Sequence, residues 1–158
     1  MGVIGDLRAV DPLIDVLNGR YSKNLAARTD KAFKLSAAKA LGKLKLEIAV
    51  RPLINIINNS DRKLYLRIAA VQALGDIGNK KATKPLISIL TDNHSDMWLR
   101  ATSASALGNI GDKKAVGSLT KATNEVKAPI RNAAEDALRM IAKSHRAVRP
   151  SFFSYRCR

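Results

Sequence analysis

A repeat with a period of about 33 residues constrains this chain more than any other feature of its sequence. Four segments align, reading AVDPLIDVL, AVRPLINII, ATKPLISIL and AVGSLTKAT. Their fourth residues fall in register at Pro12, Pro52, Pro85 and Ser118, with separations of 40, 33 and 33 residues. A fixed period of this length is typical of chains in which each repeat is a small structural unit stacked on the next.

A second motif follows each of these segments, reading FKLSAAKALGKL, LRIAAVQALGDI, LRATSASALGNI and IRNAAEDALRMI. In the second of them the apolar residues stand at 66, 69, 70, 73, 74 and 77. Alternating steps of three and one follow one face of an α-helix and do not fit the alternation of a strand. Each repeat is therefore predicted to be a pair of helices.

Small residues predict how these pairs stack and where they end. A glycine recurs late in the second helix at Gly42, Gly75 and Gly108. Glycine costs about 1 kcal/mol relative to alanine inside a helix, so we expect it to permit close approach of neighbouring helices. Just past the apolar pattern, Gly78 and Gly111 suit left-handed helix ends, and the Asn79 and Asp112 that follow suit N-caps.

These motifs resemble the PBS-lyase HEAT-like repeat family, whose successive elements Gly-Asp, Ala-Val-x-Pro-Leu-Ile and Arg-x-Ala-Ala-x-x-Ala-Leu-Gly-x-Ile-Gly are followed closely by residues 75–112. Ankyrin and tetratricopeptide signatures are missing. The resemblance covers residues 1–142 and implies an all-α fold, an α-solenoid forming a right-handed superhelix of about four HEAT-like helix pairs with degenerate ends. The expected repeats are 6–45, 46–78, 79–111 and 112–142.

Both ends are expected to cut across a repeat. The first six residues align with the last turn of a second helix, and residues 146–150 echo the start of a first helix. Residues 143–158 are interpreted as a basic C-terminal cap or a disordered tail.

The charge is strongly basic, since 28 lysines and arginines face 13 aspartates and glutamates, for a net charge of +15. Residues 18–45 carry eight basic side chains against Asp30 alone, and the first repeat holds seven extra residues between its helices. Insertions in solenoids often lie at a binding edge, although a solvated loop or a lengthened helix is the plainer alternative. The predicted partner-binding residues are Arg20, Lys23, Arg28, Lys31, Lys34, Lys39, Lys43 and Arg67.

One cation per repeat stands at the start of the second helix, where the helix dipole disfavours positive charge. These residues are Lys34, Arg67, Arg100 and Arg131. We interpret them as a structural ladder bonded to carboxylates or carbonyl groups of neighbouring repeats. The carboxylate candidates are Asp6, Asp61, Asp96 and Asp112. The alternative is a row of anion-binding groups along a groove.

Little in the sequence indicates catalysis. His94 is placed in a loop and His145 in the basic tail, so no metal-ligand spacing is formed, and Cys157 is the only cysteine. The His-Glu pairs of the HEAT-repeat hydroxylases, which bind two irons, are absent. Trp98 is expected to pack between repeats. The chain is accordingly expected not to be an enzyme, with no catalytic residues, no metal and no cofactor.

The first functional hypothesis is a scaffold that binds an acidic protein on a concave basic surface. The resemblance adds a second, a subunit of a phycobilin lyase-like complex, because that family includes subunits of lyases that attach a linear tetrapyrrole to phycobiliproteins. Nucleic acid is a third, since clustered cations neutralise phosphates. No run of residues predicts a membrane span, and a cytoplasmic location is expected.

Overall fold

The computed structural model describes residues 10–20 and 27–146, with side chains described in 10–20 and 31–146. Within these ranges every regular element is helical, with eight α-helices in four antiparallel pairs. They are α1 (Val10–Asn18), α2 (Ala27–Lys43), α3 (Val50–Asn58), α4 (Leu64–Ile77), α5 (Thr83–Thr91), α6 (Met97–Ile110), α7 (Val116–Ala122) and α8 (Ala128–Arg146). The α-solenoid expected from the repeat is confirmed.

The core lies between the first helices (α1, α3, α5, α7) and the second helices (α2, α4, α6, α8). The first three repeats each contribute a leucine from the Leu-Gly motif of the second helix, and Leu41, Leu74 and Leu107 are 0% exposed. The first helices supply an equivalent set, in which Leu53, Leu86 and Leu119 are also 0% exposed. Because these positions recur with the repeat, one continuous apolar layer runs through the stack.

The second helices pack closely on one another, and the recurring glycines are the reason. A Cβ atom placed on Gly42 would lie 3.0 Å from the Ala73 Cα, and one on Gly75 would lie 2.9 Å from the Ala106 Cα. The first helices contact one another far less. A stack that is tighter along one row bends toward that row, so the second helices line the concave side.

The turns between repeats have the predicted ends. Gly78 and Gly111 follow α4 and α6 with φ of 75° and 71°, in the left-handed region that suits glycine. Each is followed by one turn of 3-10 helix that leads into the next first helix. The Asn79 and Asp112 side chains accept the main-chain N–H groups of Lys81 and Lys114, at 2.9 and 3.1 Å. Both N-cap predictions are confirmed.

The insertion in the first repeat lengthens a helix in part. Lys31 aligns with the first residue of α4, Leu64, yet α2 already begins at Ala27, one turn earlier. The prediction of a binding loop falls mainly on residues 21–26, outside the described residues. At the other end, α8 continues through His145 to Arg146, so His145 lies in a helix and not in a tail.

Asp112 also joins two repeats, because it accepts a hydrogen bond of 3.0 Å from the Thr83 hydroxyl at the start of α5. The main-chain N–H of Lys114, and then the Thr83 hydroxyl, hold the pKa of Asp112 below its ordinary value of 3.8 despite its burial. A lowered pKa in the folded state stabilises the fold above the unfolded-state pKa, and this stabilisation is lost as the pH falls through the folded pKa.

We therefore expect Asp112→Ala to lower the free energy of unfolding by about 1 kcal/mol at pH 7, with the loss shrinking as the pH falls below about 4. Asn79→Ala is the matched control, since Asn79 makes the equivalent capping bond without a charge. Urea unfolding followed by circular dichroism between pH 3 and 7 measures both. Equal pH dependence in the two variants would contradict this account of Asp112.

Candidate interaction groove

The exposed face of the second helices forms a groove that crosses all four of them. One part, of about 360 Å³, lies over α4, α6 and the start of α8, and another, of about 440 Å³, lies between α2 and α4. Gln72 and Asp76 of α4 line both parts, so the two are continuous. Concave, partly apolar surfaces with a few polar groups are where proteins bind ligands and partner segments.

The α6 helix gives the groove an uncharged, hydrogen-bonding floor. Thr102, Ser105 and Asn109 line it at spacings of three and four residues, which places them on one helix face. The Thr102 hydroxyl donates to the Trp98 carbonyl at 2.7 Å, and the Ser105 hydroxyl donates to the Ala101 carbonyl at 3.3 Å. Both hydroxyl oxygens therefore remain acceptors for a bound group.

Trp98 forms one wall of this groove and is 57% exposed. The expectation that it packs between repeats is wrong, because it is the second residue of α6 and points to the groove side of the helix. Asp96 fixes this start of the helix by accepting the N–H groups of Trp98 and Leu99, at 2.8 and 3.1 Å. An exposed indole held on a capped helix is a ready apolar contact for a partner.

The predicted partner-binding residues do not come together as one surface. Lys39 lines the groove at its α2 end, and Lys43 is exposed one turn further along the same helix. The Lys31 ammonium lies 5.1 Å from the centre of the Tyr65 ring, within cation–π distance. Arg20 lies beyond α1 and pairs with Asp15 at 3.4 Å.

The other predicted partner-binding residues lie away from the groove or outside the described residues. The side chains of Lys23 and Arg28 fall outside the described residues. Lys34 lies beside Gly19 at the end of α1, with its ammonium 3.6 Å from where a Cβ on Gly19 would be. Arg67 is bonded within its own repeat. Lysines thus gather at the α2 end of the groove, while α4 contributes Asp76 and α6 contributes no charge to its lining.

Three cations of the ladder bond main-chain carbonyls, which for Arg67 and Arg100 lie in the last turn of a first helix and for Arg131 lie in the loop between α7 and α8. The Arg67 Nε donates to the Ile57 carbonyl at 3.0 Å, and the Arg100 Nε donates to the Leu90 carbonyl at 2.9 Å. Arg131 donates to the carbonyls of Glu125 and Val126, at 3.2 and 3.5 Å. Carbonyls at a helix C-terminus lack helical partners and carry the negative end of the dipole, so Arg67 and Arg100 each compensate the first helix of their own repeat.

Arg100 also bonds a carboxylate. It is 4% exposed, and its guanidinium also bonds the Glu125 carboxylate in the loop before α8, which ties the third repeat to the fourth. Two of the four carboxylates that the sequence suggested have other partners. Asp96 caps α6, Asp112 caps the turn before α7, and Asp6 lies outside the described residues.

Other polar clusters are local. Asp92 accepts from the Ser95 hydroxyl at 2.7 Å and from the His94 main chain at 3.0 Å, and these bonds lower its pKa. In α8, Arg139 pairs with Asp136 at 2.8 Å and Glu135 at 3.8 Å on the surface. In residues 10–20 and 31–146 no three His, Cys, Asp or Glu side chains are grouped to hold a metal ion.

The described helices include none that is both long and apolar enough to cross a membrane. Sequence reasoning also missed the groove's neutral lining. Gln72 and Ser105 occupy the same repeat position as Lys39, so the alignment of repeats contained a signal for a shared face. The neutral side chains at this position were missed because the prediction of partner-binding residues considered cations only.

Comparison with known proteins supports the repeat assignment. The sequence pattern of HEAT repeats matches residues 50–139, more than half of the chain. No curated protein matches the sequence. The resemblance to HEAT-like repeats inferred from the motifs is confirmed.

Two solved structures share the fold. Human deoxyhypusine hydroxylase in complex with glycerol is 18% identical, with a TM-score of 0.71 over 94% of this chain, which spans about half (49%) of that protein. The complex of CpcE and CpcF of phycocyanin lyase from Nostoc sp. is 26% identical, with a TM-score of 0.64 over 87% of this chain and 81% of the matched one.

These structures correct one expectation. The prediction that the chain is not an enzyme is wrong, because proteins with this fold include a hydroxylase and the paired proteins of a lyase. The prediction rested on missing side-chain motifs, and a site shared between two chains need not place all of its motifs in one of them.

Proposed function

This chain belongs to the HEAT repeat family, and we propose that it binds an extended segment of a partner protein along the groove of its second helices. HEAT repeats indicate a scaffold for protein interaction and a protein partner. The groove across α2, α4, α6 and α8 is the observation that carries the proposal.

The dimensions and chemistry of the groove fit an extended chain. Packed helices lie about 8–10 Å apart, so four of them span roughly 25–30 Å, which about eight extended residues would cover. The side chains of Gln72 and Asn109 offer amide groups that can both donate to and accept from a main chain, and Ser105 offers an acceptor. Trp98 supplies apolar contact area beside them.

Charge gives this arrangement a direction. Lys39 lines the α2 end and Lys43 lies exposed beside it, two positive charges against the one negative charge of Asp76 in that part of the lining, whereas α6 contributes no charge. An acidic part of the partner therefore belongs at the α2 end, and a neutral part belongs over α6. Acidic residues of the partner are therefore expected at one end of the groove only, and not along the whole concave surface.

The proposal is tested with a photo-crosslinking amino acid placed at Ser105 in the groove and at Asn55, an exposed residue of α3 on the other row of helices. In the native host, we expect one discrete protein adduct from position 105 and none from position 55. Trp98→Ala should lower that adduct at least several-fold, since exposed aromatic anchors dominate such interfaces.

Stability measurements on the same variants show whether a lost adduct reflects lost binding or lost folding. Trp98 is exposed, so its removal should change the free energy of unfolding by no more than about 0.5 kcal/mol. Lys39→Glu should reduce the adduct if the α2 end faces acidic residues. Equal adducts from positions 105 and 55, or an adduct indifferent to Trp98→Ala, would reject the groove as the binding face.

A second candidate is favoured by the 26% identity with the CpcE and CpcF structure. In that case this chain would act as one subunit of a lyase-like complex, and the groove would hold the other protein of the complex or its substrate. The adduct from position 105 would then be such a protein. A purified sample that stays colourless with added bilin and leaves phycobiliprotein subunits unmodified counts against this candidate while leaving the groove proposal intact.

A further inference from the structure

Four lysines form a second charged surface, at the edge of the solenoid where one repeat turns into the next. They are two pairs in equivalent turns, Lys80 and Lys81 after α4 and Lys113 and Lys114 after α6, and we call this set the lysine edge. All four side chains are exposed. The two turns share the same left-handed glycine and the same capping bond, so the pairs project from matching backbones.

Contacts between repeats hold these turns side by side. The bond from Thr83 to Asp112 joins the helix that follows the first turn to the cap of the second. Lys80 and Lys114, one from each turn, both act on the Asp112 carboxylate electrostatically. His145 at the end of α8 lies 3.1 Å from the Gly111 carbonyl and extends the same edge.

The structure neutralises the lysine edge only in part, because Asp112 brings one negative charge against four positive ones. Asp112 is 8% exposed and already accepts two hydrogen bonds, and no described carboxylate lies within ion-pair distance of the four ammonium groups. At each turn the end of a second helix meets the start of a first helix, so the two dipoles largely offset one another. The edge is a fixed concentration of positive charge.

We propose that the lysine edge binds an acidic polypeptide segment in extended conformation. Neighbouring repeats are about 10 Å apart and an extended chain advances about 3.3 Å per residue, so carboxylates at every third residue would meet successive lysine pairs. The lysine edge adjoins the groove, whose lining reaches Asp76 and Asn109 near the C-terminal ends of α4 and α6, but Trp98 stands at the opposite, N-terminal end of α6.

The chemistry of the edge favours a polypeptide over a nucleic acid. Single-stranded nucleic acids are bound through aromatic rings that stack on the bases. Two aromatic residues that could stack on bases, Tyr65 and Trp98, lie at the starts of α4 and α6. A helix of 14 residues is about 21 Å long, which separates those rings from the lysine pairs.

The test uses a fluorescein-labelled peptide of twelve residues with glutamate at every third position, and the same peptide with glutamine. Fluorescence anisotropy at low salt should show binding of the first and not of the second. Replacing all four lysines of the edge with glutamine should weaken binding about tenfold or more.

The matched control removes four charges elsewhere, with Lys63, Lys121, Lys127 and Arg139 changed to glutamine, and should weaken binding less than about threefold. Trp98→Ala should leave peptide binding unchanged, which separates this proposal from the groove. Equal weakening in the two four-residue variants, no binding of the acidic peptide, or tighter binding of a single-stranded oligonucleotide through the edge would each overturn it. Thermal melts show whether both variants are folded.

Discussion

Replacing Gly108 with alanine is expected to lower the free energy of unfolding by about 1–3 kcal/mol, although alanine is the better helix former. The reason is contact with the next helix. A Cβ atom on Gly108 would lie 2.7 Å from the Ala137 Cα and 2.9 Å from its Cβ, and a main-chain atom can move away only if α6 and α8 separate. Urea unfolding followed by circular dichroism measures the change.

Gly117→Ala is the matched control. Gly117 is also helical, in α7, but a Cβ there would meet nothing within 4 Å. We expect this change to stabilise the protein by roughly 0.5–1 kcal/mol through helix propensity. If both replacements had the same sign, close packing of the second helices would not be the role of the recurring glycine.

Arg100→Gln should lower the free energy of unfolding by about 2–4 kcal/mol. Glutamine is too short to keep both bonds, so the Leu90 carbonyl and the Glu125 carboxylate lose their donor at a site where Arg100 is 4% exposed. Arg139→Gln serves as the control, because Arg139 pairs with Glu135 and Asp136 while its side chain is 68% exposed, and should change stability by less than about 1 kcal/mol.

The outcome separates the two interpretations of the ladder. A large loss of stability supports a structural role for Arg100 in tying the third and fourth repeats together. An unchanged melting temperature with a lost groove adduct would instead assign the row of cations to the partner. Glu125→Gln provides a second measurement, since it leaves the Arg100 charge buried without its carboxylate.

Much of the fold could be predicted because its determinants are local and repeat. The spacing of Leu66, Ala70 and Leu74 defines a helix face without reference to any other element. Gly78, Asn79 and Asp112 act within one turn, so their capping roles follow from residue type and position. The close packing at Gly42, Gly75 and Gly108 could be predicted on the single assumption that equivalent helices stack.

The candidate site was predicted less well, because it depends on which side chains share a surface. The sequence emphasised the cations around Lys34 and Arg67, yet the first lies beside α1 and the second bonds a carbonyl of α3. The number of charged residues in a segment could not reveal that these side chains already interact within the protein. Lys80 and Lys113 are 33 residues apart, one repeat period, so the alignment of repeats places them in equivalent turns, and the bond from Thr83 to Asp112 shows that these turns lie side by side.

The sequence by itself determined that this chain is a stack of helix pairs, and which leucines and glycines face inward, since periodicity and caps act over a few residues. Only the tertiary structure decided that Trp98 faces a groove, that Arg100 reaches Glu125 across two repeats, and that the lysine edge is continuous. Those features depend on the rotation and spacing of one repeat against the next, which the packing of Gly108 on Ala137 and its equivalents sets.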